Sequence, residues 1–246
     1  IFNQPVTDPP SNTFSHMLQY DVIIFKSCFP SSHIDSPGMF DAYMDYYASI
    51  RDVMDQHPDK LFIPWTTPPL VPNSTDAASA QRAQEWAAYL TSDEYLDGHP
   101  NIYPFDINSL WADADGYLRA EFRVDEWDSH PNDIGNQVVA PIFVDFIDGA
   151  VQSFLHGEDR PVLPDVTDEM IAAAYAGAYD DYAADESGAD DTADSADDAA
   201  APPGSGQRSP DGPLPGRGAV RFRRTAAARN WPGPGVGRGP RSNGHE

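Results

Sequence analysis

Two short apolar runs joined by an amphipathic stretch constrain the fold of this chain more than any other feature. The first lies in "YDVIIFKSCFP", where Val22 to Phe25 form a continuous run with the length and β-branching of a strand buried on both faces. The second is "KLFIPW". Between them, apolar residues recur at helical spacing from Met39 to Gln56, and Pro58 ends the pattern. The sequence therefore predicts a strand, a helix and a second strand.

The same alternation continues along the chain. Residues 77–91 carry the next helical stripe, and "NIYPFDI" is a third strand candidate, in which Pro104 favours an edge or a strand end. A last stripe runs from Val138 to Ile147 and contains Pro141, which removes one helical hydrogen bond. Such alternation is typical of a parallel sheet covered by helices on both faces, so we predict a three-layer α/β sandwich.

The polar loops of this predicted sheet follow its strands. In open parallel sheets the ligand site lies beyond the carboxyl ends of the strands. The loops at 26–38, 64–76 and 106–133 should therefore converge at one edge.

The composition changes near Tyr179. Residues 1–179 mix aromatic, aliphatic and polar residues as a globular domain does, whereas 180–200 is acidic and contains no basic residue. Residues 201–246 are rich in Pro, Gly and Arg. We predict an α/β domain over 1–179 and a disordered, low-complexity tail over 180–246, which is either a solvated tail or an arm for an anionic partner.

The net charge of −24 bears on the environment of the protein and on whether it can bind nucleic acid. Asp supplies 31 of the 39 acidic residues, and Lys26 and Lys60 are the only lysines. This balance resembles that of proteins from salt-loving microbes, in which salt screens the self-repulsion of the surface, although an acidic protein from a GC-rich genome would look similar. A globular domain this acidic repels phosphate, so we expect it not to bind nucleic acid.

Cysteine and histidine usage argues against metal sites. Cys28 is the only cysteine, which excludes an intramolecular disulfide and a Cys-based zinc site. The spacings of His33, His99 and His130 match no zinc or calcium loop pattern, so we expect no metal and no cofactor.

The sequence says little about compartment or assembly. No apolar run approaches the roughly 18 residues that span a bilayer, so we expect no membrane association. No signal peptide is visible, which favours the cytoplasm slightly, but the chain opens on Ile1 and the expectation is that its true start is missing. The sequence does not determine the oligomeric state.

One motif points to a specific chemistry. The stretch "DSHPNDIGNQVVAPIFVDFI" resembles the last block of the SGNH (GDSL-type) hydrolases, in which an acidic residue shortly precedes His-Pro-Asn or His-Pro-Ser, and a Gly and an amphipathic helix follow. The resemblance implies that His130 is the general base and that an acid orients its imidazole. The family's acid stands three residues before the His, where this chain has Trp127, so Asp128 is the candidate, with Asp125 and Glu126 in reserve.

The resemblance also implies a fold and shows two departures. It implies a flavodoxin-like sandwich, of which about residues 20–156 would be the latter two-thirds. The family's Gly-x-Asn-Asp block would follow "YDVIIF", but "KSCFPSSHI" stands there, so Lys26, Ser27 or the backbone near Cys28 would serve the oxyanion. Lys26 could also hold a carboxylate or sulfate of a substrate. The family's Gly-Asp-Ser nucleophile block does not occur in the sequence, which suggests a fragment.

The resulting hypothesis is an ester hydrolase acting on a small-molecule or carbohydrate ester. Trp65 and Asn132 are the candidate residues of its substrate pocket, since Trp65 offers an apolar or sugar-stacking face. Two alternatives stay open, namely a non-catalytic binding module on the same fold and a hydrolase with Cys28 as nucleophile. A His-Pro pair that only begins a helix is the structural alternative for His130.

Overall fold

The structure, a computed structural model, describes residues 1–187, with side chains described for 1–29 and 31–177. Most of the predicted disordered tail, residues 188–246, lies outside the described residues.

A parallel pair of strands forms the centre of the fold. Strand β1, Val22–Phe25, pairs with β2, Leu61–Pro64, in the register Val22 to Leu61 and Phe25 to Pro64. All four residues of β2 are buried, as a strand with neighbours on both edges should be.

The third predicted strand lies along the other edge of β2 as two isolated parallel bridges. Phe62 is bridged to Ile102 and Trp65 to Phe105. Four backbone hydrogen bonds support this alignment, including one from the Tyr103 N–H to the Phe62 carbonyl at 2.9 Å. The ladder bond between these two bridges would come from the N–H of residue 64, and because Pro64 has none the ladder is interrupted there, whereas the N–H position of Pro104 faces away from β2.

The helices predicted over Met39–Gln56 and 77–91 have the expected bounds within about two residues, whereas the helix predicted from the stripe Val138–Ile147 extends to His156 and the other helices were not predicted. The longer ones are α2 (Pro37–Met54), α3 (Ala77–Leu90), α6 (Asp133–His156) and α7 (Asp168–Ser187). The short ones are α1 (Thr13–Met17), α4 (Asp93–Leu96) and α5 (Ile107–Trp111), with 3₁₀ turns at Phe29–Ser32, Pro72–Ser74 and Ala120–Phe122.

Alternate residues of β2 belong to two separate hydrophobic clusters. Leu61 and Ile63 lie in one cluster with Val138 and Ile142 of α6. Phe62 lies in the other, which includes side chains of α2 and α3 such as Ile50 and Trp86. Because successive side chains of a strand point to opposite faces, the sheet has helices on both faces. The structure thus shows an α/β arrangement around a parallel sheet, as predicted.

Helix α6 combines a buried stripe with an exposed face. Six of its apolar residues are buried in the cluster beside β2: Ile134, Val138, Val139, Ile142, Phe146 and Ala150. The helix is also long and apolar enough to cross a membrane by length and composition, although it contains no continuous apolar run of that length. Core helices meet the same criterion, and one stripe of this helix packs in the cluster beside β2.

Helix α7 extends across the predicted domain boundary. It begins at Asp168, places Ile171 in the cluster beside α6, and continues to Ser187. The boundary expected at Tyr179 therefore falls inside a helix.

Candidate functional site

Asp128 and His130 form a contact pair at the start of α6. The Oδ1 atom of Asp128 lies 2.6 Å from Nδ1 of His130 and also accepts the backbone N–H of His130 at 2.9 Å. The same oxygen thus contacts both the main chain and the ring. This fixes the imidazole with Nδ1 toward the carboxylate and leaves Nε2 available on the far side of the ring.

The loop that carries this pair is held by local and distant hydrogen bonds. Asp125 Oδ1 accepts the N–H groups of Trp127 and Asp128 at 2.7 and 2.8 Å, which closes a turn before the pair. Ser129, which is buried, accepts the Val71 N–H at 3.2 Å and ties the loop to the segment after β2. Asp125, the reserve candidate, is thus used in the turn, and the structure pairs His130 with Asp128.

The pair is exposed to solvent. The side chain of His130 is 68% exposed and that of Asp128 is 43% exposed. The pKa of Asp128 lies below its usual 3.8, because it accepts hydrogen bonds from the backbone and then from the ring of His130. An exposed imidazole can exchange protons with a substrate group that approaches from solvent.

The loop after β1 reaches the same place. The ring of Phe29 packs on the imidazole of His130, with centroids 4.5 Å apart, and Lys26 Nζ lies 4.7 Å from the Phe29 centroid. The ammonium of Lys26 thus contacts the ring of Phe29, which contacts the imidazole of His130. These contacts join two loops that are about a hundred residues apart in the sequence. Lys26, a predicted site residue, is thus connected to His130 through Phe29, which the sequence analysis missed.

The other two predicted oxyanion residues have different surroundings. Ser27 Oγ lies 2.8 Å from the hydroxyl of Tyr47 on α2, which directs it toward the opposite face of the sheet. Cys28 is exposed, and its carbonyl accepts the N–H and the hydroxyl of Ser31. Among the described side chains, no hydrogen bond joins either residue to His130.

Trp65 lies in the hydrophobic cluster below α6. Its ring packs against Phe105 and Phe143, with centroids 5.3 and 4.8 Å apart, and it remains only partly exposed. Its Nε1 is buried and has no hydrogen-bond partner among the described residues. The structure therefore gives Trp65 a packing role beside the predicted one as a pocket wall.

Asn132 directly precedes α6, and both the oxygen and the nitrogen of its side-chain amide make hydrogen bonds. Its Oδ1 accepts the Gly135 N–H at 3.0 Å, and its Nδ2 donates to the carbonyls of Glu121 and Arg123 at 2.9 and 3.0 Å. Asn132 is therefore the N-cap of α6. The bonds leave Nδ2 without a hydrogen for a substrate.

Close packing around Gly135, the glycine of the motif, leaves little room for a side chain. A Cβ at this position would stand 3.1 Å from Phe122 and from Pro131. The absence of a side chain lets the first turn of α6 approach the segment before it. This contact sets the position of the helix start next to His130.

A network of mostly buried hydrogen bonds joins the three polar loops at 26–38, 64–76 and 106–133. Ser32 and Thr67 share a hydrogen bond of 2.7 Å, and Asn108 Nδ2 donates to the Thr67 carbonyl at 2.9 Å. Thr66 donates to Asp106 at 2.7 Å. The predicted convergence of the loops is thus observed, and buried residues that the sequence analysis did not name connect them.

Within residues 1–177 the structure contains no group of three or more His, Cys, Asp or Glu side chains that could hold a metal ion. Comparison with known proteins found no matching family model, no matching curated protein and no matching solved structure.

Proposed function

We propose that this chain carries the general-base part of an ester hydrolase related to the SGNH family, with His130 as the base and Asp128 as its orienting acid. The observation that carries the proposal is the 2.6 Å contact between Asp128 Oδ1 and His130 Nδ1, with the ring two-thirds exposed. A carboxylate at Nδ1 holds one tautomer and stabilises the imidazolium that forms when Nε2 takes a proton.

The position of the pair in the fold adds support. It lies beside the loops that follow the strands, where open parallel sheets bind ligands. Lys26 stands in the same region and supplies a positive charge for an oxyanion or a substrate carboxylate. We therefore propose a small-molecule or carbohydrate ester as the substrate, within a flavodoxin-like three-layer fold.

The nucleophile is the part that the sequence does not supply. No Gly-Asp-Ser occurs in the chain. The chain as printed should therefore not turn over p-nitrophenyl acetate or butyrate. A longer chain that includes the in-frame upstream codons should turn them over if those codons encode Gly-Asp-Ser.

In that longer chain, His130→Ala should lower kcat by a factor on the order of a thousand or more, because a serine hydroxyl is a poor nucleophile without a base. Asp128→Asn should cost less than removal of the His. Asp125→Asn is the matched control, since it keeps the turn acceptor and lies in the same loop without contacting the ring.

Three results would overturn the proposal. Turnover that survives His130→Ala would remove the base from the mechanism. Ester hydrolysis by the printed chain that is lost in Cys28→Ala would replace the serine hydrolase with a Cys28-dependent one. An inert longer chain that lacks Gly-Asp-Ser would favour the binding module.

A further inference from the structure

Trp127 is far more exposed than the other tryptophans that the structure describes. Its exposed fraction is 73%, whereas Trp86 and Trp111 are buried at 2% and 7%, and Trp65 packs against two phenylalanines. Among the described residues, no aromatic ring or cation packs on its indole, and none accepts its Nε1 hydrogen. Single exposed apolar residues are common, but this one stands three positions before His130. The indole is therefore within reach of a substrate bound there.

The main chain on both sides of Trp127 is held by hydrogen bonds. Asp125 Oδ1 accepts the Trp127 N–H at 2.7 Å, and the Trp127 carbonyl accepts the Ser74 hydroxyl at 3.4 Å. Two residues later, Ser129 accepts the Val71 N–H. The backbone that carries the ring is thus preorganised, so a ligand that stacks on the indole has to order little besides the side chain itself.

These contacts tie the loop of Trp127 to the segment that follows β2, whereas His130 contacts Phe29 in the loop after β1. The nucleophile that the proposed function requires would come from a strand beside β1, on the edge that β2 does not occupy. We expect it to approach His130 from the side of Phe29. The indole of Trp127 then stays open on the side of β2.

Free carboxylate oxygens flank the exposed ring. Asp125 Oδ2 and the carboxylate of Glu126 have no hydrogen-bond partner among the described residues. An acyl chain or an apolar protein surface on Trp127 would take these charges out of water without giving them a partner. A sugar ring has an apolar face of C–H groups that stacks on an aromatic ring, and hydroxyls at its rim that donate to carboxylates. A carbohydrate therefore suits both the ring and its neighbours.

We propose that Trp127 is a stacking platform for a sugar ring of the substrate, and that the substrate is therefore an ester carried by an oligosaccharide. This inference rests on the proposed function, since the ester itself is attacked beside His130. The Cα atoms of Trp127 and His130 are at most about 11 Å apart, because three residues of extended chain span no more. One sugar can thus present its ester to His130 while a neighbouring sugar stacks on Trp127.

Binding is tested with the chain as printed, because stacking needs no nucleophile. The probes are xylotetraose and cellotetraose, each with and without O-acetyl groups, whose equatorial substituents leave flat C–H faces. Isothermal titration calorimetry should show saturable binding at millimolar concentration. Trp127→Ala should weaken this binding about fivefold or more, and Trp127→Phe, which keeps an aromatic face, should weaken it less.

Val124→Ala is the matched control, since Val124 is 57% exposed in the same loop and is not aromatic. It should bind the tetraoses as the unchanged protein does, and circular dichroism checks that every variant is folded. Acetylcholine tests for a cation on the same ring. If it bound more tightly than every tetraose, lost affinity with added salt and depended on Trp127, the ring would serve a cationic ester and the proposal would be wrong.

Turnover in the longer chain separates this proposal from the proposed function. Trp127→Ala should raise KM for an acetylated tetraose several-fold more than KM for p-nitrophenyl acetate, because only the tetraose reaches the ring. Tetraose binding that depends on Trp127, in a longer chain without esterase activity, would support the platform and remove the hydrolase. Tetraose binding that is absent, or equal in Trp127→Ala and the unchanged protein, would overturn the platform even where p-nitrophenyl acetate is hydrolysed.

Discussion

At the scale of single residues, one carboxylate oxygen makes two contacts with the same histidine. Asp128 Oδ1 accepts the backbone N–H of His130 and the N–H of its Nδ1, and both bonds stabilise the ionised carboxylate. The geometry is local, because Asp128 and His130 are two positions apart and can form both contacts without other parts of the fold. This explains why the pair could be predicted from the sequence.

The pKa of Asp128 gives a first prediction. It should titrate below 3.8 in a carbon-detected NMR experiment, and His130→Ala should raise the pKa toward the usual value without fully restoring it, since the backbone donor remains. Because the folded-state pKa is lowered, this contribution to stability is present above the pKa of the unfolded state. It is lost as the pH falls through the folded-state pKa. A pKa in His130→Ala equal to that of the unchanged protein would show that the ring does not donate.

The contacts of His130 beyond Asp128 could not be read from the sequence. Phe29 is separated from it by a hundred positions, and only the convergence of loops at a sheet edge brings the two rings together. Ser27 and Lys26 are neighbours in sequence, yet the alternation of side chains along an extended segment separates them. The sequence therefore predicted the correct loop but not which of its side chains meets the histidine.

At the scale of elements, the predicted order of strands and helices is observed because each carries a clear period or a buried run. Helix α7 was not predicted. Its sequence is rich in Ala and acidic residues and has little amphipathic pattern, and its contact through Ile171 with the α6 cluster is a tertiary effect. Pro64 is the converse case, because one residue without an N–H interrupts the ladder to the third strand and leaves two isolated bridges.

The start of α6 gives the second prediction. Asn132→Ala should lower the free energy of unfolding by about 1–3 kcal/mol, because it removes the cap and leaves two carbonyls without a donor. Asn132→Ser keeps a cap acceptor without placing a carboxylate oxygen against those two carbonyls and should cost less. Asn136→Ala is the matched control, since this exposed residue lies on the same helix, and it should be neutral or slightly stabilising. Urea unfolding measures all three, and an Asn132→Ala value no larger than that of the control would show that the cap contributes nothing.

At the scale of the whole molecule, the basic residues do not neutralise the acidic ones. Residues 1–179 contain 28 acidic and 7 basic residues. Several arginines donate to backbone carbonyls instead of carboxylates. Arg82 donates to Ile34 and Asp35, and Arg160 to Leu96, His99 and Ile102. Arginines are thus used to join loops, and most of the acidic surface relies on solvent and ions.

This charge balance gives the last prediction, which is that molar potassium chloride stabilises the protein. Screening lengths fall from about 10 Å at 0.1 M to about 3 Å at 1 M, which weakens repulsion among exposed carboxylates. We expect Tm to rise by roughly 5 °C or more between dilute buffer and 2 M salt, since 1 kcal/mol shifts the Tm of a domain of this size by about 2–4 °C. Asp41→Asn combined with Asp45→Asn removes two exposed like charges one turn apart on α2. This variant should raise Tm in dilute buffer and show a smaller rise with salt, which separates screening from a general effect of salt on apolar burial. A Tm that stays flat or falls with salt, or an equal rise in both proteins, would mean that charge repulsion does not limit the stability of this fold.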